Sequence, residues 1–239
     1  MAHGWLADGS LADCLLQSAP TGVTVGGSGA GKIMPDFETG LGVLALVATA
    51  AYLLGAVPFG LVMARVFGLG DLRAIGSGNI GATNVLRTGS KTAAFLTLLL
   101  DGGKGAIAVL VARGFFGEDA AQIAGFSAFL SHLYPVWLSF KGGKGVATFF
   151  GTALALAPLV GVLAGAVWLA TAAITRFSSL SALLAALAAP MLAVLTGNET
   201  AVALFLGIAG LIFLRHATNI RRLAAGTEPR IGQKKETAE

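Results

Sequence analysis

Three short stretches gather residues able to bind and react with anions. "GSGNIGATNVLRTGS", residues 76–90, packs glycines around Ser77, Thr83, Asn84 and Arg87. Backbone N–H groups freed by glycine, with hydroxyl and amide side chains beside them, can ring an anion. Arg87 adds a planar fork that fits phosphate bidentately. "KGGKG", residues 141–145, follows the same logic. Gly142, Gly143 and Gly145 let the backbone approach a ligand, and consecutive N–H groups ahead of a helix make an anion nest. Lys144 supplies a full charge there. "RHATNIRRL", residues 215–223, sets His216 and Asn219 three apart, on one face of a helix, with Arg222 three further on. Histidine can move a proton near neutrality, and asparagine can orient a hydroxyl.

Each stretch has a plainer reading. The first could be a polar interhelical loop, the second a tight turn flanked by snorkelling lysines, the third a basic helix resting on anionic headgroups. A look-alike of the second, "DGGKGA" at 101–106, lies inside an apolar run. Ionisable groups in such a run are expensive and face the interior. Asp101 and Lys104, at i, i+3, are therefore expected to pair structurally or to support a site from behind. Gly161 and Gly165 form GxxxG in an apolar span, which expects close helix packing.

The elements that must position these residues follow from composition. Of 239 residues, 55% are hydrophobic and 12% charged, against roughly 25% charged in a soluble domain. A chain of this balance reads as an all-α integral membrane protein. About 20 apolar residues cross a bilayer core at ~1.5 Å rise per residue. Candidate spans are Gly40–Met63, Thr92–Ala112, Ala120–Leu138, Leu180–Thr196 and Thr200–Leu214. The run Val146–Thr175 is too long for one ordinary span, and Pro158 near its middle would break or kink it. Read as two short helices, it gives about seven transmembrane helices, with the N-terminus outside and the C-terminus cytoplasmic. That arrangement puts 13 of the 16 basic residues on the cytoplasmic side, as the positive-inside rule asks. It also puts all three polar stretches on that one face.

The single cysteine, Cys14, excludes an internal disulfide, and His3, His132 and His216 lie too far apart in sequence for helical metal-ligand spacing. Residues 1–33, rich in Gly, Ser and Ala, read as a disordered or non-native N-terminal extension, with Met34 as the natural start. Two patterns in it, GxxxxGK at 26–32 and His3 with Asp8, lack a convincing folded context.

Taken together, "YLLGAVPFGLVMARVFGLGDLRAIGSGNIGATNVLRTGS", "HLYPVWLSFKGGKGVAT" and "RHATNIRRLAAGTEPRIG" resemble, in order and spacing, the bacterial membrane acyl-phosphate:glycerol-3-phosphate acyltransferase family. The resemblance runs from about Met34 to the C-terminal tail, as one transmembrane acyltransferase domain over 34–239. It implies transfer of an acyl group from acyl phosphate to the 1-hydroxyl of sn-glycerol 3-phosphate, giving lysophosphatidic acid and inorganic phosphate in the first acylation of phospholipid synthesis. It implies a multi-pass protein of the bacterial inner membrane with a cytoplasmic active site, needing no cofactor or metal. The partners implied are the two substrates, membrane lipid and, transiently, a peripheral phosphate acyltransferase that makes the donor; nucleic acid is not among them. By motif matching, Ser77, Lys144, His216 and Asn219 are the catalytic candidates. Arg87, Asn84, Gly142, Gly143 and Gly145 are the substrate-binding ones. His216 or a substrate phosphate would take the hydroxyl proton. A transporter or channel for a phosphorylated anion is the rival reading, suited by the intramembrane Asp101 and Lys104.

Overall fold

A computed structural model describes residues 31–232, and all regular structure among them is helical. The expectation for the N-terminal extension falls, up to residue 30, outside the described residues. The α-helices, in chain order, are α1 Leu41–Gly55, α2 Phe59–Val66, α3 Ala82–Leu86, α4 Lys91–Phe116, α5 Glu118–Leu133, α6 Val146–Leu156, α7 Pro158–Thr175, α8 Ser178–Leu195, α9 Val202–Arg215 and α10 Ala217–Ala224. Among the described residues, four stretches are long and apolar enough to cross a membrane: Leu41–Val66, Lys91–Phe116, Pro158–Thr175 and Ser178–Leu195. A fifth is the pair Glu199–Arg215 and Ala217–Ala224, taken together across a 62° bend.

The packing treats a bilayer as solvent. Buried positions are dominated by small residues, among them Ala51, Ala108, Ala112, Ala124, Ala128, Ala185 and Ala189. The large apolar side chains Leu41, Phe95, Leu110, Leu169, Ile174 and Leu195 point outward. Small residues let helix backbones approach where hydrophobicity cannot drive association. One such close approach joins α4 to α6. A Cβ on Gly151 would lie 1.9 Å from the Gly102 carbonyl oxygen, and Thr148 Oγ1 donates to the Asp101 carbonyl at 2.9 Å. Gly102 and Gly105 of DGGKGA thus serve helix contact, whereas nothing lies within 4 Å of Gly103. GxxxG behaves only half as expected: Gly161 packs on Leu154, but nothing lies within 4 Å of Gly165, so the two do not share one interface.

Two helix breaks shape the bundle. The break at Ala157 before Pro158 falls where the sequence places it. It strands the last carbonyls of α6, and Arg113 takes both, Ala155 at 2.8 Å and Leu156 at 2.9 Å. The first span was expected as one helix, Gly40–Met63, but it unwinds at residues 56–58 before resuming as α2. Pro58 cannot donate the helical hydrogen bond its position would need. The freed carbonyls find buried donors: Trp137 Nε1 bonds Ala56 at 2.8 Å, and Lys104 Nζ bonds Val57 at 2.8 Å. The third span also ends early, at Leu133, because Pro135 holds Tyr134 out of the helical region.

Polar contacts collect at two ends. At one end Asp119 accepts from the backbone N–H groups of Glu38 and Thr39, Arg113 meets Glu118, and Gln122 donates to the Thr200 carbonyl. At the other end, residues 176 and 231 exchange backbone and side-chain bonds, and Thr83 meets Ser178 at 3.3 Å.

Candidate active site

The loop 76–90 is braced from within. Asn84, buried, donates from Nδ2 to the Leu72 carbonyl at 2.8 Å and accepts at Oδ1 from the Ser77 N–H at 3.2 Å. One bond at each end of this amide thus braces the loop, which is a structural role beside the substrate contact expected of Asn84. Ser77 stays exposed. The Arg87 side chain lies over Gly76, whose φ of 54° is left-handed; a Cβ there would sit 2.8 Å from Arg87 Nη1.

KGGKG is also differently spent than its composition suggests. The N–H groups of Gly142 and Gly143 donate to the carbonyls of Leu133 and His132 at 3.0 and 3.1 Å. Their carbonyls accept from Arg215 at 2.9 and 3.2 Å. These two glycines therefore offer close packing, with no donors to spare for the nest expected there. The available donors come next: α6 starts at Val146, and the N–H groups of a helix's first turn have no intrahelical acceptor. Gly145 makes that start, at φ 78°, with its Cα against the Phe129 ring.

The third stretch closes the site. Lys144 Nζ donates to Asn219 Oδ1 at 2.5 Å, and Asn219 Nδ2 donates to Glu228 Oε1 at 2.6 Å. Glu228 also accepts from Ser179 Oγ and from Arg222 Nε, each at 2.7 Å. Asn219 thus relays between a cation and a buried carboxylate. The sequence reading had not singled out Glu228, Ser179 or Arg215. The signal for the first was a lone acid in the basic tail, in "GTEPR".

Burial pushes the Lys144 ammonium down to about 8, with Arg222, Arg215 and Arg87 adding to the fall and Glu228 opposing it. His216, just past the end of α9, is lowered to about 4, first by burial and then by the Lys144 charge. Its Nδ1 lies 2.8 Å from the Ile212 carbonyl. A carbonyl only accepts, so Nδ1 carries the proton and Nε2 is the acceptor.

Ser77, Asn79, Gly142, Lys144, Arg215 and Thr218 line one cavity of about 320 Å³. The three stretches thus meet, with Ser77 and Lys144 on its wall. His216 sits between the lining residues Arg215 and Ala217. A larger open depression, about 460 Å³, is lined by none of the expected residues, and Asp71 offsets Arg65 in it. Asp101 and Lys104, which suited a transporter, are 3.0 Å apart and nearly unexposed, paired with each other in the helix packing.

A family model described as glycerol-3-phosphate acyltransferase matches residues 45–226. Among curated relatives, the glycerol-3-phosphate acyltransferase of Dinoroseobacter shibae is 64% identical over 84% of this chain and all of its own length. That of Cereibacter sphaeroides is 63% identical, over 84% of this chain and 96% of its own. Two crystal structures of PlsY (YgiH), an integral membrane glycerol 3-phosphate acyltransferase, are similar in fold. The glycerol 3-phosphate form has TM-score 0.76 at 39% identity, covering 80% of this chain and 96% of that one. The lysophosphatidic acid form has TM-score 0.73 at 37% identity, with the same coverage.

Proposed function

The chain belongs to the glycerol-3-phosphate acyltransferase family, and from that premise we propose that it acylates the 1-hydroxyl of sn-glycerol 3-phosphate with an acyl phosphate. The observation that carries the reading is the shared cavity, where Ser77, Lys144 and Arg215 face the same space beside the start of α6. Both substrates bear phosphate, and this wall carries the cations Lys144 and Arg215 with the Ser77 and Thr218 hydroxyls beside them. Acyl phosphate is already activated, so a positioned hydroxyl suffices as nucleophile.

Lys144, the first-turn N–H groups of α6 and Ser77 hold the donor's phosphate and the oxyanion that develops on its carbonyl. Arg87 anchors the phosphate of glycerol 3-phosphate. His216, neutral at pH 7, accepts a hydrogen bond at Nε2 from the glycerol hydroxyl and orients it. At about 4, His216 is a weak base, whereas a phosphate monoester titrates near 6. A substrate phosphate therefore takes the proton as the hydroxyl oxygen attacks the acyl carbon. The bond from acyl carbon to phosphate oxygen breaks, and inorganic phosphate leaves.

Seven crossings fit the polar contacts at the two ends: the stretch Leu41–Val66, then α4 to α9 singly, each run between one end and the other. At 11 residues, α6 is only ~16 Å long. A crossing there needs residues 139–145 to dip inward, which recesses KGGKG below the membrane surface, where an acyl chain could reach it. The excess of basic residues at the site end supports a cytoplasmic placement of that end and of the C-terminus, and the bacterial relatives support the inner membrane. Residues 34–239 act as one catalytic domain, supplied with donor by a peripheral phosphate acyltransferase.

Donor choice tests the reading. Acyl phosphate should support acylation where acyl-CoA of the same chain does not; equal use of both would overturn it. A second expectation concerns pH. Lys144 carries its charge below about 8, so kcat/KM should fall about tenfold per unit above that. The residual activity of Lys144→Arg should lack this limb. A flat wild-type profile to pH 10 would contradict the role of Lys144.

A further inference from the structure

We propose that Lys104, Asp101 and His132 are positioning residues for acyl transfer, joining the KGGKG loop to the loop that carries Ser77. The three side chains are buried. Lys104 Nζ lies 3.0 Å from Asp101 Oδ1, and His132 Nδ1 lies 3.6 Å from the same oxygen. One carboxylate oxygen therefore faces two partners, and it makes no well-formed hydrogen bond among the described residues.

From this oxygen one arm runs to KGGKG. The His132 carbonyl accepts the Gly143 N–H at 3.1 Å. The ring lies directly under Gly143, where an added Cβ would be 2.3 Å from His132 Nε2. Tilting that imidazole moves the backbone one residue before Lys144. The other arm runs through Lys104 to the Val57 carbonyl, in the unwound segment before Pro58. That segment sets the direction of α2, and Gly60 of α2 lies against the Ile80 carbonyl, where a Cβ would be 1.7 Å away. Ile80 belongs to the loop of Ser77. Lys104 also sits 5.8 Å from the Phe59 ring at the start of α2. The same carboxylate thus fixes both walls of the cavity relative to each other.

DGGKGA accordingly has two parts. Gly102 and Gly105 let α4 touch α6, and its charged residues set the register of the reacting loops. Misplacing catalytic groups by about 1 Å can cost about 10²-fold in rate. The proposal rests on the acyltransfer reading above, and wild-type enzyme run alongside separates the two. Inactive wild type would sink that reading, not this inference.

Two variants approach the cluster from either side, and both are compared on monodisperse, folded protein. His132→Leu leaves the Asp101–Lys104 pair intact. The double variant Asp101→Asn with Lys104→Met removes both charges together, so neither is left buried alone. Each should lower kcat by about 10²-fold with KM for glycerol 3-phosphate changed less than threefold. His132→Gln, whose amide can donate toward Asp101, should recover at least tenfold over His132→Leu. A cluster that only stabilises the fold would instead lower the melting temperature and yield while the folded fraction kept wild-type kcat. That result in either variant overturns the proposal, as does failure of every variant to fold, which would make the cluster a folding core.

Discussion

Lys144→Met lowers kcat/KM for acyl phosphate by about 10³-fold and leaves the protein folded. The magnitude follows from what Lys144 does. Removing one donor aimed at developing negative charge costs about 10²–10³ in rate, and here the donor carries a full charge in a largely buried setting. The fold survives because methionine keeps the length and apolar stem of lysine. The change also removes one cation from a group that includes Arg87, Arg215 and Arg222, all of which repel it. The cost is an unpaired Asn219 Oδ1, worth roughly 1–3 kcal/mol. Lys144→Arg should recover only part of the activity, since the broader guanidinium cannot occupy the Nζ position against Asn219. Initial rates on protein checked by thermal melting measure both effects. A loss below tenfold in Lys144→Met would show that the charge does not face the reacting phosphate.

Glu228→Gln is the second large effect, and it should strike stability and activity together. The carboxylate is 5% exposed and receives three donors, from Asn219, Ser179 and Arg222. Burial alone would raise its pKa, but these donors outweigh burial and hold it below the ordinary carboxylate range. A depressed carboxylate contributes stability that is present above the unfolded value, near 4.3. That contribution is lost as pH falls through the folded value. Glutamine keeps the shape but drops the charge and turns one acceptor into a donor, so in either orientation its NH2 faces a donor-only group, Arg222 Nε or Asn219 Nδ2. Arg222 is 36% exposed, so the loss is that of a buried group left mispaired, about 1–3 kcal/mol, or roughly 5 °C in melting temperature for a chain of this size. Activity falls as well, because Asn219 and Lys144 lose the anchor that orients them. A Gln variant melting within 2 °C of wild type at pH 7 would refute the structural role.

The three stretches were legible because their chemistry is carried by residue type: a serine and an arginine among glycines, a lysine after paired glycines, a histidine and asparagine on one helix face. The break at Pro158 was legible too, since a 30-residue apolar run left only one place for it. What the sequence hid was the destination of individual hydrogen bonds. Gly142 and Gly143 look like nest donors until their N–H groups are seen on Leu133 and His132. Asn84 looks like a ligand, and its type alone does not show that its amide also braces the loop through Leu72 and Ser77. Glu228 gave little signal because one acid in a basic tail reads as charge balance, and its three donors come from positions 9, 49 and 6 residues away. Pro58 was read through because its flanks are apolar, and the carbonyls it frees are satisfied only by Trp137 and Lys104, distant in sequence.

The central claim is that this cavity couples an acyl phosphate to glycerol 3-phosphate. The most direct measurement incubates the purified protein in detergent with both substrates and quantifies inorganic phosphate and lysophosphatidic acid together. One phosphate should appear per lysophosphatidic acid, with neither forming when glycerol 3-phosphate is omitted. Folded protein that releases no lysophosphatidic acid from intact donor, or that releases phosphate without it, would contradict the account.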